Sequence, residues 1–493
     1  MRLSNAKLGV WFNGSDVMYL EKKMSKKGPL FYEIPNIPPY GKSVNDIGKY
    51  LRKDLVASGN LLPIFKAIRN HLAANAKKIT RDEEIAKEII KILFCKIYDE
   101  KYTKPDGMVR FRTQYEENSL DVKNRIQSIF DDVKNEYPDV IADSESIKLD
   151  NAALQHTVSL LMNLDIGTSS RDVMSEAFEL FMGDTFKGQQ GQFFTPRNVT
   201  KMLVEMMNPG PNDLVIDPAC GSGGFLVEVL RHVWGRVEAQ GADLNWPESE
   251  TLNKKYQVAT QNIKGIDKDE FLQQITKTYM AILGDGRSGI FCENSLHKPT
   301  SWSTKTKSQI NLGIFDMVFA NPPFGKNLKV KDESVLKQYQ LGHKWKDGVK
   351  GSVEGKGRYT QFLFIERCLQ LLKPGGTLGI VIPESTFGMP SHKYVVDYIL
   401  KSAQIKAVIS MPENLFQPHT HARTCVVIMR KLLENEEIGD YDIFMSQIKW
   451  CGHDSRGSPT YQEIKGEMKL MDDIPRIPEL YREFLASITG EDK

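Results

Sequence analysis

At 493 residues, 41% of them hydrophobic and 26% charged, the chain has the length of roughly three domains at about 150 residues each. Its mixture is that of a soluble globular protein, which excludes a collagen-like fibre, a disordered chain and a membrane bundle. Lys plus Arg (65) nearly balances Asp plus Glu (63), a formal charge of +2, so contact with a polyanion must use local basic patches or a partner's charge.

The six cysteines, Cys95, Cys220, Cys292, Cys368, Cys425 and Cys451, show neither disulfide density nor C-x-x-C spacing. No apolar run approaches the ~20 residues of a membrane span, and residues 1–10 lack a signal-peptide core. A reduced, cytoplasmic protein without structural zinc is expected.

Between Lys7 and Tyr40 the pattern is of short strands and turns, and Asn13-Gly14 between Val10-Trp11-Phe12 and Val17-Met18-Tyr19-Leu20 predicts a hairpin. From about Asn60 to Ile166 the period becomes helical. Thr80 with Glu83 reads as a capping box, and Ile85, Ile89, Ile92 and Leu93 recur at helical spacing, as do Val122, Ile126, Ile129, Phe130 and Val133. No grouping there suggests chemistry. From about Arg171 to Lys431 short β-branched runs alternate with helical stretches, the mark of an α/β domain with a mostly parallel sheet. Strands are expected at 214–216, 263–266, 317–319, 377–382, 405–409 and 424–429. Beyond Asn435 come a strand-like stretch at 442–446, a polar turn at 452–457 and a short C-terminal helix.

The chemistry concentrates in this third region. The strand at 214–216 runs into Asp217-Pro218-Ala219-Cys220-Gly221-Ser222-Gly223-Gly224-Phe225. Its small residues let a ligand approach the backbone, and a following helix at 226–233 would aim its N-terminal N–H groups at that ligand. The loop is neither a G-x-G-x-x-G fingerprint nor a G-x-x-x-x-G-K-[ST] phosphate loop, which disfavours an ATP-driven motor. The next strand ends at Asp267, placed to accept the hydroxyls of a ribose; alone, such an Asp is more often a turn or helix cap. Asn321-Pro322-Pro323-Phe324 follows another apolar strand. Its plain reading is a stiff turn, since paired prolines exclude helix. Its functional reading is a rigid turn aiming the Asn321 carbonyl and a proline carbonyl at one planar amino group, with the aromatic ring stacking on the same substrate.

These motifs in this order resemble the S-adenosylmethionine-dependent N6-adenine DNA methyltransferases. Gly191-Gln192-Phe193-Phe194-Thr195-Pro196 upstream is similar to a segment of the modification subunits of type I restriction systems, as is Lys373-Pro374-Gly375-Gly376 leading into a strand. The resemblance covers about Asn60 to Lys431. It implies a Rossmann-like methyltransferase domain at 171–434, preceded by an all-helical domain at 60–170 and followed by a C-terminal extension at 435–493. Gly191, Gln192, Phe193, Phe194, Thr195 and Pro196, with Asp217, Ala219, Gly221, Ser222 and Gly223, would line S-adenosyl-L-methionine. Asp267 would hold its ribose and Asn294 would lie near its adenine. Asn321 and Pro322 would accept from the target N6 amino group, with Pro323 stiffening the turn and Phe324 stacking on an adenine extruded from double-stranded DNA. Transfer would use neither a metal nor a covalent enzyme intermediate. None of the six cysteines follows a proline, which disfavours the thiolate chemistry of cytosine C5 methylation. Cys220 reads as a small space-filler.

The stretch 325–359 is poor in apolar residues and rich in Gly and Lys, including Lys326, Lys329, Lys331, Lys344, Lys346, Lys350, Lys356 and Arg358. It reads as a solvated mobile loop. Trp345 and Tyr339 interrupt the charge, which also suggests contact with DNA phosphates. Phe416, His419, His421 and Arg423 form a loop where related enzymes flank the base; two histidines without a third ligand nearby favour a polar loop over a metal site.

Residues 1–59 depart from the family pattern. They are similar to the end of a restriction nuclease-like domain, with an E-x-K at Glu21-Lys22-Lys23 but with Asp16 too close to be its upstream metal ligand. A remnant or docking element and an incomplete gene start both fit. No tail with two variable halves is present to read a bipartite DNA site, so the resemblance implies a separate specificity subunit flanked by two methylase subunits, with a restriction subunit as a further partner. Rival readings are a protein glutamine methyltransferase, which shares an N-P-P-Y turn, and a catalytically silent scaffold of a restriction complex.

Overall fold

The computed structural model describes the chain except residues 1–4, 13–16, 39, 58–60, 78, 80, 168–193, 285, 326, 347, 418–419, 465 and 490–493. It divides into two compact units, Met1–Lys187 and Gly188–Lys493.

In the first unit the expected hairpin forms: β1 (Leu8–Phe12) pairs antiparallel with β2 (Val17–Ser25), and β3 (Gly28–Ile34) completes a three-stranded sheet. The turn residues Asn13 and Gly14, and Asp16 beside them, lie outside the described residues. Among the described residues four helices follow, α1 (Leu62–Asn75), α2 (Asp82–Tyr102), α3 (Ser119–Glu136) and α4 (Asn151–Leu161). The apolar stripes seen in the sequence meet inside, where Ile89, Ile92, Leu93, Ile126 and Phe130 are fully buried. The expected capping box rests on Thr80, which is not among the described residues. Helix α2 begins at Asp82 behind Arg81, which makes no side-chain cap. Three carboxylates in the first turn, Asp82, Glu83 and Glu84, complement the helix dipole.

The second unit is built on an eight-stranded sheet. Its elements in chain order are α5 (Arg197–Met207), β4 (Val215–Asp217), α6 (Gly224–Asp243), β5 (Ile263–Asp267), α7 (Glu270–Gly284), β6 (Ile290–Cys292), β7 (Phe315–Ala320), α8 (Thr360–Leu371), β8 (Leu372–Pro383), α9 (Lys393–Ser402), β9 (Ala403–Ser410), β10 (Thr424–Lys431), β11 (Phe444–Gln447) and α10 (Ile477–Thr489). Across the sheet the order is β11-β9-β10-β8-β7-β4-β5-β6. The β8-β7-β4-β5-β6 run is parallel, and β10 lies antiparallel between β8 and β9. The chain therefore winds outward from β4 through β5 to β6, then returns to place β7 on the other side of β4. Adjacent strands leading in opposite directions leave a crevice at their carboxyl ends. Asp217 ends β4 and Asn321 follows β7, so the two strongest motifs flank that crevice.

Each expected strand is present, several longer than expected. Strand β6, three residues long, was not among the expected strands. Helix α6 starts at Gly224, two residues earlier than expected, because Gly223 turns the chain at φ +87°. The C-terminal segment is built into this unit: β11 adds to the sheet edge beside β9, and the Asn198 amide of α5 donates to the Cys451 carbonyl at 3.2 Å and to Asp472 at 2.9 Å.

The stretch 325–359 corrects the expectation of a mobile loop. It folds around its own core of Val335, Leu336 and Tyr339, packed on Leu296, Leu363 and Phe364. Tyr339, expected as an aromatic break in an exposed basic run, is fully buried. Its hydroxyl donates to the Leu296 carbonyl at 2.8 Å and accepts from the Arg367 guanidinium at 2.6 Å. The segment looked polar because a few apolar residues suffice when they close onto helix α8.

A Cβ at Gly265, in the middle of β5, would lie 2.6 Å from Leu226, 3.1 Å from Ile290 and 3.2 Å from the Cys220 sulfur. Gly265→Ala is expected to destabilise the protein by about 1–3 kcal/mol, the usual range for overpacking. A lowered urea midpoint with unchanged slope would show it, and an unchanged midpoint would mean these side chains relax without cost.

Candidate active site

The glycine-rich loop is held in shape from three directions. Asp267, at the end of β5, accepts the Gly221 N–H at 2.9 Å through one carboxylate oxygen and the Asp269 N–H at 2.9 Å through the other. The Cys220 N–H donates to the Ile266 carbonyl at 3.0 Å, and Thr276 on α7 donates its hydroxyl to the Gly221 carbonyl at 2.7 Å. A Cβ at Gly223 would meet Thr276 at 2.8 Å, so that close approach needs glycine. Gly221 differs. A Cβ there meets nothing within 4 Å, and its φ of +53° turns the loop crest toward open space. The crest is a cradle whose vacant side a ligand would fill.

Asp217 is fully buried at the root of this loop, with Oδ1 accepting the Ala219 N–H at 2.9 Å. Burial, reinforced by the charge of Asp267, pushes its carboxyl up to about 8; burial likewise raises that of Asp267. Two desolvated carboxylates beside one cradle suit a cationic ligand. Asn294 is half-buried on the neighbouring turn, where its carbonyl oxygen accepts the Leu296 N–H at 3.0 Å and its amide lies 3.2 Å from His297. Ser295 donates to the Pro218 carbonyl at 2.5 Å, tying that turn to the loop.

On the other side of the crevice, the Asn321 amide nitrogen donates to the Thr195 hydroxyl at 2.9 Å. With its NH₂ tethered there, the side-chain carbonyl points the opposite way. Thr195 sits between half-buried Phe194 and Pro196, and Pro196 caps helix α5. Gly191, Gln192 and Phe193 lie outside the described residues. Pro322 is buried and Pro323 half-buried. Phe324 is only 2% exposed and packs edge-on against Phe416, with ring centroids 5.8 Å apart at 78°.

The structure thus gathers Thr195, Asp217, Gly221, Asp267, Asn294 and Asn321 at one edge of the sheet. Sequence reading missed Thr276 and Ser295, which shape the loop from 55 and 77 residues away from their partners and carry no local signal. Of the two loop histidines, His419 lies outside the described residues and His421 faces Gln417 at 3.2 Å. Among the described residues no group of three His, Cys, Asp or Glu is arranged to hold a metal.

Because Asp217 titrates higher when folded than the ~4 of a free carboxyl, its contribution to stability is complete below pH ~4 and is lost as pH rises toward about 8. Asp217→Asn removes this titration. The stability of the variant relative to the parent should climb between pH 4 and 8 and then level off; parallel urea midpoints at every pH would contradict it.

Residues 169–456, more than half the chain, match the N-6 DNA Methylase family model. The chain is 23% identical over 358 residues to the type I restriction enzyme EcoEI methylase subunit of Escherichia coli, covering 68% of this chain and 66% of that one. It is 24% identical over 364 residues to the MjaIX methylase subunit of Methanocaldococcus jannaschii, covering 69% and 57%. It therefore spans between about half and two thirds of these curated relatives. A chain of a type I R-M system superposes with a TM-score of 0.56 at 17% identity, covering 88% of this chain and 85% of that one. A modification subunit from Vibrio vulnificus YJ016 superposes with a TM-score of 0.52 at 18% identity, covering 87% and 89%, so the fold is shared at low identity. With its motifs gathered at the carboxyl edge of such a sheet, the chain belongs to the N-6 DNA methylase family.

Proposed function

We propose that the chain transfers a methyl group from S-adenosyl-L-methionine to the N6 amino group of adenine in DNA, as the modification subunit of a type I-like restriction-modification system. The observation that carries this reading is the Asn321–Thr195 hydrogen bond at 2.9 Å, which joins the N-P-P-F turn to Thr195 of the G-Q-F-F-T-P segment.

The residues fit the cofactor. Gly221, Ser222 and Gly223 offer a cradle with an open crest, Asp217 and Asp267 supply negative charge for the sulfonium and the amine, and the outer lone pairs of Asp267 remain for a ribose hydroxyl. Gly191 to Pro196 and Ala219 would complete the wall, with Asn294 at the adenine. When bound, S-adenosylmethionine supplies an electrophilic methyl group. The Asn321 side-chain carbonyl and the Pro322 main-chain carbonyl accept the two N6 hydrogens of the target, holding the nitrogen lone pair in line and stabilising the positive charge that develops on it. The nitrogen is paired inside a duplex, so the base must leave the stack. Phe324 stacks on it once the edge contact with Phe416 opens. A specificity subunit chooses the sequence, two copies of this chain flank it, and a restriction subunit completes the assembly.

Incubating the purified complex with tritiated cofactor and host DNA, followed by nucleoside analysis, should place label on N6-methyladenine; label on cytosine or on protein would refute the reading. Asn321→Ala should abolish transfer with cofactor binding largely intact, whereas Asp267→Ala should weaken cofactor binding. Thr195→Val removes the acceptor that orients Asn321. A fall in kcat of about tenfold is expected, equivalent to one hydrogen bond of ~1.4 kcal/mol. Thr195→Ser should restore most of it, and equal rates in the Val and Ser variants would show that the tether does not orient Asn321.

A further inference from the structure

The segment 325–359 holds nine Lys and Arg against four Asp and Glu, a local excess of five in a chain whose total is only +2. Everything outside it is therefore net negative by three. Such a concentration would mean little on a mobile loop, but this one is anchored. Glu366, buried on helix α8, accepts the Gln340 and Leu341 N–H groups at 2.8 Å each, and the neighbouring Arg367 grips the Tyr339 hydroxyl. The core beneath the segment also includes Ala219 of the glycine-rich loop and Val353.

From this platform rises a two-stranded antiparallel hairpin, His343–Lys346 paired with Val349–Val353. Alternation along the first strand puts Lys344 and Lys346 on one face, while Lys350 sits opposite Trp345 and shares the other. All three lysines are exposed, and among the described residues none of them makes an ion pair, although acidic neighbours elsewhere in the segment do: Glu333 with Lys337 and Glu354 with Arg358. A two-stranded ribbon fits the major groove of duplex DNA, and cations on both faces match a groove with phosphates along both walls. Since the two strands are already paired, little conformational entropy would be lost from them on docking.

We propose that the hairpin of residues 343–353 is a sequence-independent clamp on duplex DNA, in which Lys344, Lys346 and Lys350 contact backbone phosphates beside the extruded base. The proposal rests on the DNA reading above and adds the surface that this chain itself contributes.

The test is binding of the full chain to a fluorescent DNA duplex of mixed sequence at several salt concentrations, with parent, K344A/K346A/K350A and, as a control, K305A/K401A/K469A. Each phosphate contact contributes about 0.9 to the slope of log affinity against log salt, so the hairpin variant should lose roughly 2.7 from that slope. The control should keep the parental slope, and both variants should bind S-adenosylmethionine as the parent does. A slope unchanged in the hairpin variant, an equal loss in the control, or no binding of the parent duplex at low salt would overturn the clamp. Methyl transfer is not read here: label on the wrong acceptor refutes adenine methylation, whereas the salt slope alone decides the hairpin.

Discussion

The hydrogen bond from the Gly221 N–H to the Asp267 carboxylate is the contact on which the site depends. It ties the loop after β4 to the end of β5, the next strand in the sheet, and so holds the glycine crest open. The buried position that makes Asp267 a firm anchor also raises its proton affinity and that of Asp217 beside it. A buried carboxylate is costly unless it is paired, and the raised proton affinity of Asp217 lowers that cost by favouring the protonated form.

The second half of the site is organised by rigidity. Prolines at 322 and 323 leave the turn after β7 few conformations, and the Thr195 tether restricts the one side chain there that could still rotate between roles. An Asn amide presents a donor at one end and an acceptor at the other; engaging the donor selects the acceptor. That choice matters because the proposed target offers hydrogens. Phe324 instead has an apolar partner, its ring packed edge-on against Phe416. The aromatic contact keeps the apolar ring out of water.

How much of this was legible in the sequence follows from the range of each interaction. The strands after which Asp217, Asp267 and Asn321 stand were readable because apolar β-branched runs end abruptly at polar or proline-rich turns. The crevice itself was readable once the strands alternated with helices, since that topology forces a reversal of strand order somewhere in the sheet. Thr276 and Ser295 were not, because a hydroxyl that supports a loop from a distant element looks like any other Thr in an amphipathic helix or Ser in a turn. Strand β6, as short as β4, is followed by no glycine- or proline-rich motif that would have marked it. The stretch 325–359 failed for a different reason. Composition averaged over 35 residues reported its lysines, while the fold depends on Val335, Leu336 and Tyr339, whose partners Leu296, Leu363 and Phe364 lie outside it.

That last failure alters the meaning of the near-zero net charge. A chain with +2 spread evenly would have no preference for a polyanion, and the balance would argue that its DNA contacts belong to other subunits. Concentrating an excess of five positive charges on one anchored segment gives the chain a local basic patch that its total charge conceals. Such an arrangement orients a duplex without reading its bases, because phosphates carry no sequence information. Under the proposed function, orientation is what a methylating subunit would contribute for itself if a separate reader selected the sequence, and the basic hairpin is the element of this chain suited to supply it.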